Sequence, residues 1–356
     1  MKKAVKIFIP FCGGILLSLV ILLVIVRREE INVRKEEPEV AGVLPSYDER
    51  KAELPVNPLS GVSCVNSQRR PFAVMLAEDR EARPLSGVGM ADLVIEMPVV
   101  TGSITRMLAF FICEDPEEIG SVRSARHDFI PFAQGYDAIF AYWGGSHIAL
   151  EELKKRKLDT LDALPNYFDT FYRKDGVPAP HDGFTSIARM AIAAGKLGYR
   201  GTANFSPYGG SPAGRQFLAS PPSGDNKKRK TLAISYKYPY NVRYDYDPET
   251  NSYVRWRGDS KEIDALNGEQ VEVRNVAVMR AKSRQIGGGY NDVDILGTGE
   301  ASVYRNGDEI KGRWEKKEAE DPLRFFDETG EEILFTPGKI WIEVAEPNTH
   351  VTYTYT

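Results

Sequence analysis

ADLVIEMPVV at residues 91–100 and ITRMLAFFIC at residues 104–113 are two apolar runs of strand length, parted only by Thr101-Gly102-Ser103. That pattern predicts a hairpin. Upstream, PFAVMLAE (71–78) is a third short apolar run, placed after a proline and read as a buried strand. Downstream, RSARHDFIPFAQGY (123–136) opens as a helix with Phe129, Ile130, Phe132 and Ala133 as its apolar stripe. DAIFAYW (137–143) returns to strand, Ser146 starts the helical HIALEELKKR, and residues 185–198 form a further helix. Strands and helices alternate, so we expect an α/β domain over 59–205, a mixed sheet with helices.

Beyond it the pattern changes. Residues 206–232 are rich in Gly, Ser and Pro with no apolar period, and read as a linker or long loop. From residue 233 to 356 the signals are β throughout, and no long helix is visible. VRYDYDPETNSYVRW turns at Asp247-Pro248-Glu249-Thr250, and ASVYRNGDEIKGRW turns at Asn306-Gly307, the strongest short hairpin signal. EEILFTPGKIWIEV turns at Pro337-Gly338, and HVTYTYT closes the chain with alternation. The expectation is a second, smaller, β-rich domain.

Ahead of both domains lies IFIPFCGGILLSLVILLVIV (7–26), twenty apolar or small residues without a charge, preceded by Lys2, Lys3 and Lys6. A helix of about 20 such residues spans a bilayer core. No small-residue cleavage site follows it, only Arg27-Arg28-Glu29-Glu30. We read a single-pass transmembrane anchor in the plasma membrane with the following domains extracytoplasmic. Cys12 is a poor lipid-attachment site, because Pro10-Phe11 precede it and apolar residues run on to Val26. Residues 27–58 are charged and proline-bearing and read as a solvated stalk.

Hydrophobic residues make up 42% of the chain and charged ones 27%, with a net charge of −4, so nothing favours nucleic acid, which asks for a basic face. Outside the anchor only Cys64 and Cys113 occur, which excludes a disulfide framework and any Cys/His metal spacing. Cys113 ends an apolar run and reads as a small core residue. Pairing with Cys64 is the alternative.

NPLSGV (57–62), RPFAVMLAED, EARPLSGVGMADLVIEMPV, GSITRMLAFF, IGSVRSARHDF, YDAIFAYWGGS and VPAPHD together resemble the YerB-like lipoprotein family. So do YDYDPETNSYVRW, NVAVM, GTGEASVYRNGDEIKGRW and PGKIWIEV. The resemblance implies an envelope protein outside the membrane, built around a domain of unknown function. It implies no reaction. Members are commonly lipid-anchored, and here the apolar helix takes the place of the lipid.

The densest polar cluster is Gly120-Ser121-Val122-Arg123-Ser124-Ala125-Arg126-His127-Asp128. Ser124 reads as an N-cap, and Arg123 and Arg126 stand three apart, near enough to grip one anion. Gly144-Gly145-Ser146 repeats the strand–turn–helix theme, with glycines that would let a ligand approach the backbone. If the preceding strands are parallel neighbours, both lie at strand carboxyl ends, where α/β sheets bind ligands. Between Ala52 and Leu153 there are seven arginines (69, 70, 80, 83, 106, 123, 126) and no lysine, among 20 lysines overall. Arginine's planar fork suits phosphate or carboxylate. The competing reading pairs them with Glu78, Asp79, Asp92 and Glu96. His181, in Ala179-Pro180-His181-Asp182, sits in a proline-rich loop as a ligand-binding candidate or a loop cap. No G-x-S-x-G occurs, and the histidines lack metal-ligand spacing. Asp292 and Asp294 behind Gly287-Gly288-Gly289 read as a strand entry.

The order of LAED, ADLVIEM, the arginine-bearing loop and AYWGG is also similar to the LytR–CpsA–Psr phosphotransferases. That likeness would put Arg123 and Arg126 on a pyrophosphate and make Asp79 and Asp92 ligands of a divalent metal such as Mg²⁺. Gly89-Met90-Ala91-Asp92 stands where those enzymes carry an arginine before the aspartate. Three roles are therefore open to this protein. The first is binding of an anionic lipid-linked or cell-wall ligand, or of a protein partner. The second is phosphoryl transfer on a polyprenyl-pyrophosphate-linked glycopolymer. The third is a β-domain scaffold that recruits partners by strand addition.

Overall fold

The computed structural model describes residues 54–100, 104–203 and 228–355. The expected membrane span, nearly all of the stalk, the 101–103 turn and most of the 206–232 linker lie outside the described residues. Among the described residues no helix is long and apolar enough to cross a membrane.

The chain forms β1 (Phe72–Ala77), β2 (Leu93–Pro98), β3 (Thr105–Phe111), β4 (Ile139–Tyr142) and β5 (Thr160–Asp162) in its first half. β6 (Lys230–Ile234), β7 (Val242–Asp247), β8 (Ser252–Arg257), β9 (Asn275–Arg280) and β10 (Gly297–Arg305) follow. β11 (Asp308–Lys316), β12 (Arg324–Asp327), β13 (Ile340–Ala345) and β14 (Val351–Tyr355) complete the main strands of the two large sheets. The α-helices among the described residues are short: α1 (Ile130–Gly135), α2 (His147–Lys155) and α3 (Ile187–Lys196). The expected α/β half is therefore mostly sheet.

The apolar runs behave as their composition dictates. β1, β2 and β3 are buried on both faces, as uninterrupted hydrophobic strands must be. β2 and β3 pair antiparallel, with Pro98 opposite Thr105, so the expected hairpin forms. β1 lies antiparallel to β3 and parallel to β4.

The second half does not fold beside this sheet but extends it. β13 pairs in parallel with β2 on one side and with β9 on the other. The sheet runs β12-β11-β10-β9-β13-β2-β3-β1-β4-β5, ten strands drawn from both halves of the chain. Asn306 and Gly307 have φ of 52° and 73° and turn β10 into β11, as the Asn-Gly signal predicted.

One face of the large sheet packs against a smaller sheet built on β8-β7-β6-β14, with Leu232, Ile234, Tyr244, Tyr246 and Tyr253 in the shared core, which also takes in Ile187 and Met190 of α3. The other face is covered by α1, α2 and the loops around them, with Phe129, Ile130 and Phe132 set against Leu108, Phe110 and Phe140.

Two expectations about the chain's start change. Asn57, assigned to the stalk, is fully buried and its Nδ2 donates to Asp92 Oδ1 at 2.7 Å. Cys113 is joined to Cys64 in a disulfide, so it is not a free core thiol.

Candidate functional site

Segment 119–126 returns alongside the carboxyl end of β1. The Ala77 amide donates to the Ser121 carbonyl at 3.0 Å and the Arg123 amide to the Met75 carbonyl at 2.9 Å. The turn after β4 meets it from the other side. Trp143 donates to the Arg123 carbonyl at 3.0 Å, Ala125 to Gly144 at 2.9 Å and Ser146 to Ala125 at 3.2 Å. The two predicted polar segments thus lie side by side at the carboxyl ends of two parallel strands, where α/β sheets place ligands. The strand before the first segment, β3, runs antiparallel; the short return through 119–122 brings the arginines to this edge.

Local details depart from expectation. Ser124 caps no helix: a single turn of 3-10 helix starts at His127 with Arg126 at its cap, and α1 begins only at Ile130. Both glycines are closely packed by neighbouring side chains. Gly144 has φ of 59°, and a Cβ there would sit 3.0 Å from Leu164 Cδ1. A Cβ on Gly145 would meet Leu150 at 3.1 Å. Ser146 does cap α2, its Oγ accepting from the Ala149 amide at 3.1 Å.

Arginine dominates the edge. Arg106, at the start of β3, is buried and its Nη1 donates to the Ser124 carbonyl at 2.7 Å. Arg123 Nη1 donates to the Pro180 carbonyl at 3.1 Å, and Arg123 Nε stands 3.7 Å from Asp79 Oδ2. The Arg126 guanidinium lies 5.2 Å over the Tyr290 ring, and its Nη1 donates to the Ala125 carbonyl at 3.1 Å. The Nε atoms of all three arginines and Oδ2 of Asp79 are buried without a hydrogen-bond partner among the described residues. Burial, with Arg126 and Arg123 close by, pushes the Arg106 guanidinium down to about 9. Burial likewise lowers Arg126, and Arg123 adds to it. Asp79 acts on all three cations, and Asp128 acts on Arg126 as well.

Three of the remaining arginines in the lysine-free window make structural contacts. Arg69 pairs with Asp115, Arg70 with Asp159, and Arg83 donates to the Glu78 and Pro239 carbonyls. Arg80 is exposed. Of the expected acidic partners, Glu78 stands 3.6 Å from Arg83 and Asp79 3.7 Å from Arg123, while Arg69 and Arg70 pair with Asp115 and Asp159 instead. His181 is buried one residue past Pro180, with Nδ1 unpartnered, and its amide donates to the Pro178 carbonyl at 2.9 Å. It borders the cluster through that loop.

Asp79 and Asp92 do not come together. They flank opposite ends of β3, whose seven residues separate them by ~20 Å at about 3.3 Å per residue. Asp92 also accepts hydrogen bonds from Asn57, Ser60 and the Ile112 and Cys113 amides, which occupy its carboxylate. No ion can be shared by this pair.

Sequence reasoning counted Arg106 only among the arginines of its window, read Asp292 as part of a strand entry and passed over Tyr290. Arg106 carried a signal, a charge inside the apolar GSITRMLAFF. Tyr290 and Asp292 carried none, because they arrive from the hairpin Ser283–Ile286/Tyr290–Val293 in the other half of the chain.

Comparison with known proteins supports the family resemblance. Residues 59–200 match the family described as "Protein of unknown function (DUF3048) N-terminal domain", and residues 232–342 match its C-terminal domain. The chain is 29% identical over 296 residues to "Putative lipoprotein YerB" of Bacillus subtilis (strain 168), covering 81% of this chain and 85% of that one. It is also similar to the crystal structure of the Bacillus subtilis YerB protein, with a TM-score of 0.73 and 27% identity. That likeness covers 84% of this chain and 99% of the other. The similarity to LytR–CpsA–Psr enzymes gains no support from these matches.

Proposed function

The chain belongs to the DUF3048 family, and we propose that it is a cell-envelope protein that binds a phosphate-bearing ligand through Arg106, Arg123 and Arg126. The observation that carries this reading is the gathering of Arg106, Arg123 and Arg126 about the 123–126 segment, with buried Nε atoms that make no hydrogen bond. Placing like charges together out of water is costly unless something anionic joins them. Asp79 offsets one of the three charges. Asp128 acts on Arg126 alone, so a phosphate oxyanion would supply the counter-charge that Arg106 and Arg123 still lack, and guanidinium forks match its oxygens.

Envelope placement is supported from two directions. A relative is named a lipoprotein, and the Cys64–Cys113 disulfide suits an oxidising compartment. The apolar run at 7–26 would supply the membrane attachment, with the described residues on the outer side.

The test is thermal unfolding of the full-length protein in detergent with increasing inorganic pyrophosphate. A melting temperature that climbs with concentration, and no longer does so in Arg123→Ala, is the expected result. An unchanged melting temperature up to millimolar pyrophosphate would remove the reading.

A further inference from the structure

We propose that His127, Asp128 and Asp292 form a binding site for a divalent transition-metal cation of the Zn²⁺ or Mn²⁺ type. His127 Nε2 lies 3.2 Å from Asp128 Oδ1 and 3.3 Å from Asp292 Oδ1. One donor atom from each residue falls within 4.8 Å of the other two. Ligands bound to one ion at about 2.0–2.2 Å sit roughly 3.0–3.6 Å from their neighbours, so both spacings from the imidazole to the carboxylates suit coordination. A single imidazole nitrogen offers one proton or one lone pair along one direction. It cannot give two carboxylate oxygens a straight hydrogen bond each. A cation among the three atoms engages all of them at once.

The ligands are held from outside the cluster. The Val293 amide donates to Asp128 Oδ1 at 3.2 Å. Asn291, beside Asp292, is fixed by its amide to the Val99 carbonyl at 3.1 Å and by Nδ2 to the Pro98 carbonyl at 3.2 Å. Arg284 takes Oδ2 of Asp292, leaving Oδ1 toward His127. The imidazole's Nδ1 makes no hydrogen bond, so the ring's polar engagement is through Nε2 alone. Asp128 is buried, while His127 and Asp292 are half-buried, which leaves an ion one open side for water or ligand. One imidazole and two carboxylates favour zinc or manganese over the oxygen-only sites of calcium and magnesium.

Two of the ligands come from the N-terminal family domain and one from the C-terminal, so the ion would fasten the 283–293 hairpin onto the loop that carries Arg126. This inference does not rest on anion binding at the arginines.

Untagged full-length protein, stripped with chelator, is titrated with ZnCl₂ and with MnCl₂ by calorimetry in phosphate-free buffer. We expect one equivalent per chain for at least one of them, weakened tenfold or more in Asp292→Asn and in His127→Gln. No saturable binding of either ion, or unchanged affinity in both variants, overturns the proposal. Should circular dichroism show the variants unfolded, the ¹⁵N shifts of the wild-type histidine rings decide. A change at His127 Nε2 on addition of Zn²⁺ supports the site, and an unmoved His127 overturns it.

Discussion

Arg257 clasps Glu96 with both prongs of its guanidinium, Nη1 to Oε1 and Nη2 to Oε2, each at 2.6 Å, across 161 residues of sequence. Both side chains are buried between the two sheets. Glu78, Glu262 and Glu343 share the same interior, with Arg255 contacting Glu96, Glu262 and Glu343. Glu96 and Glu343 are direct cross-strand neighbours, a placement that like charges oppose. Four carboxylates thus meet two guanidiniums inside the protein. Tyr236 adds a hydroxyl to Glu343 at 3.0 Å, and Tyr244 adds another.

Breaking the clasp should be severe. Glu96→Gln removes a carboxylate that both guanidiniums share and breaks its two-pronged bond to Arg257 in a dry interior, at a cost of about 3–5 kcal/mol. Urea unfolding at neutral pH measures it. A loss below about 1 kcal/mol would mean that the interior is wetter than the fold implies.

The same cluster sets a pH dependence. Burial pushes the Glu78 carboxyl up to about 8, against the pull of Arg257, and the Glu343 carboxyl up to about 7. Each binds its proton more tightly folded than unfolded. Their contribution is full below the unfolded value near 4.5 and is lost as pH rises through 7 and 8. Glu96 works in reverse: its arginines hold it down at about 2 despite burial, so its contribution falls away below about pH 4.5. Stability should peak in the mildly acidic range and decline toward pH 8, by up to about 1.4 kcal/mol per pH unit for each retained proton. Glu78→Gln should flatten the alkaline limb, as read from unfolding midpoints across pH.

Arg106 separates function from architecture. It is buried beside two like charges, which disfavour its charged form. Arg106→Met should raise the melting temperature of ligand-free protein while abolishing the rise with pyrophosphate. Arg123→Ala, whose ion pair with Asp79 is loose and partly exposed, should leave stability within about 1 kcal/mol. A purely structural arginine cluster predicts the opposite pattern, with both variants less stable.

Reducing the Cys64–Cys113 disulfide frees a closed loop whose ends are 49 residues apart. The chain-entropy account puts its stabilisation at about 4 kcal/mol. Unfolding with and without a phosphine reductant, and of Cys64→Ser/Cys113→Ser, should show a loss of that order.

Much of this was legible in local sequence. VIEMP and IWIEV each announce a strand buried on both faces, and Asn306-Gly307 announces its hairpin, because those signals depend on near neighbours. Ser146 was a readable cap for α2 and Ser124 was not one, since Pro131 and the aromatic run shift the helix start to Ile130. The meeting of β2 with β13, and of His127 with Asp292, was out of reach. Periodicity says that a strand is covered, not by what. The lone glutamates in VIEMP and IWIEV were the one distant clue: a carboxylate inside an apolar run demands a cation from elsewhere.

The pairing of β2 with β13 also orders events in time. Strand β2 is made long before its second neighbour, which lies 247 residues further along, Leu93 against Ile340. Until β13 arrives, β2 presents an open hydrogen-bonding edge, an invitation to other chains. Long-range closure of this kind slows folding and lengthens that exposure. A chain cut short before residue 340 would keep its N-terminal strands and lose the piece that seals them. Its fate should be aggregation or proteolysis, not a working half.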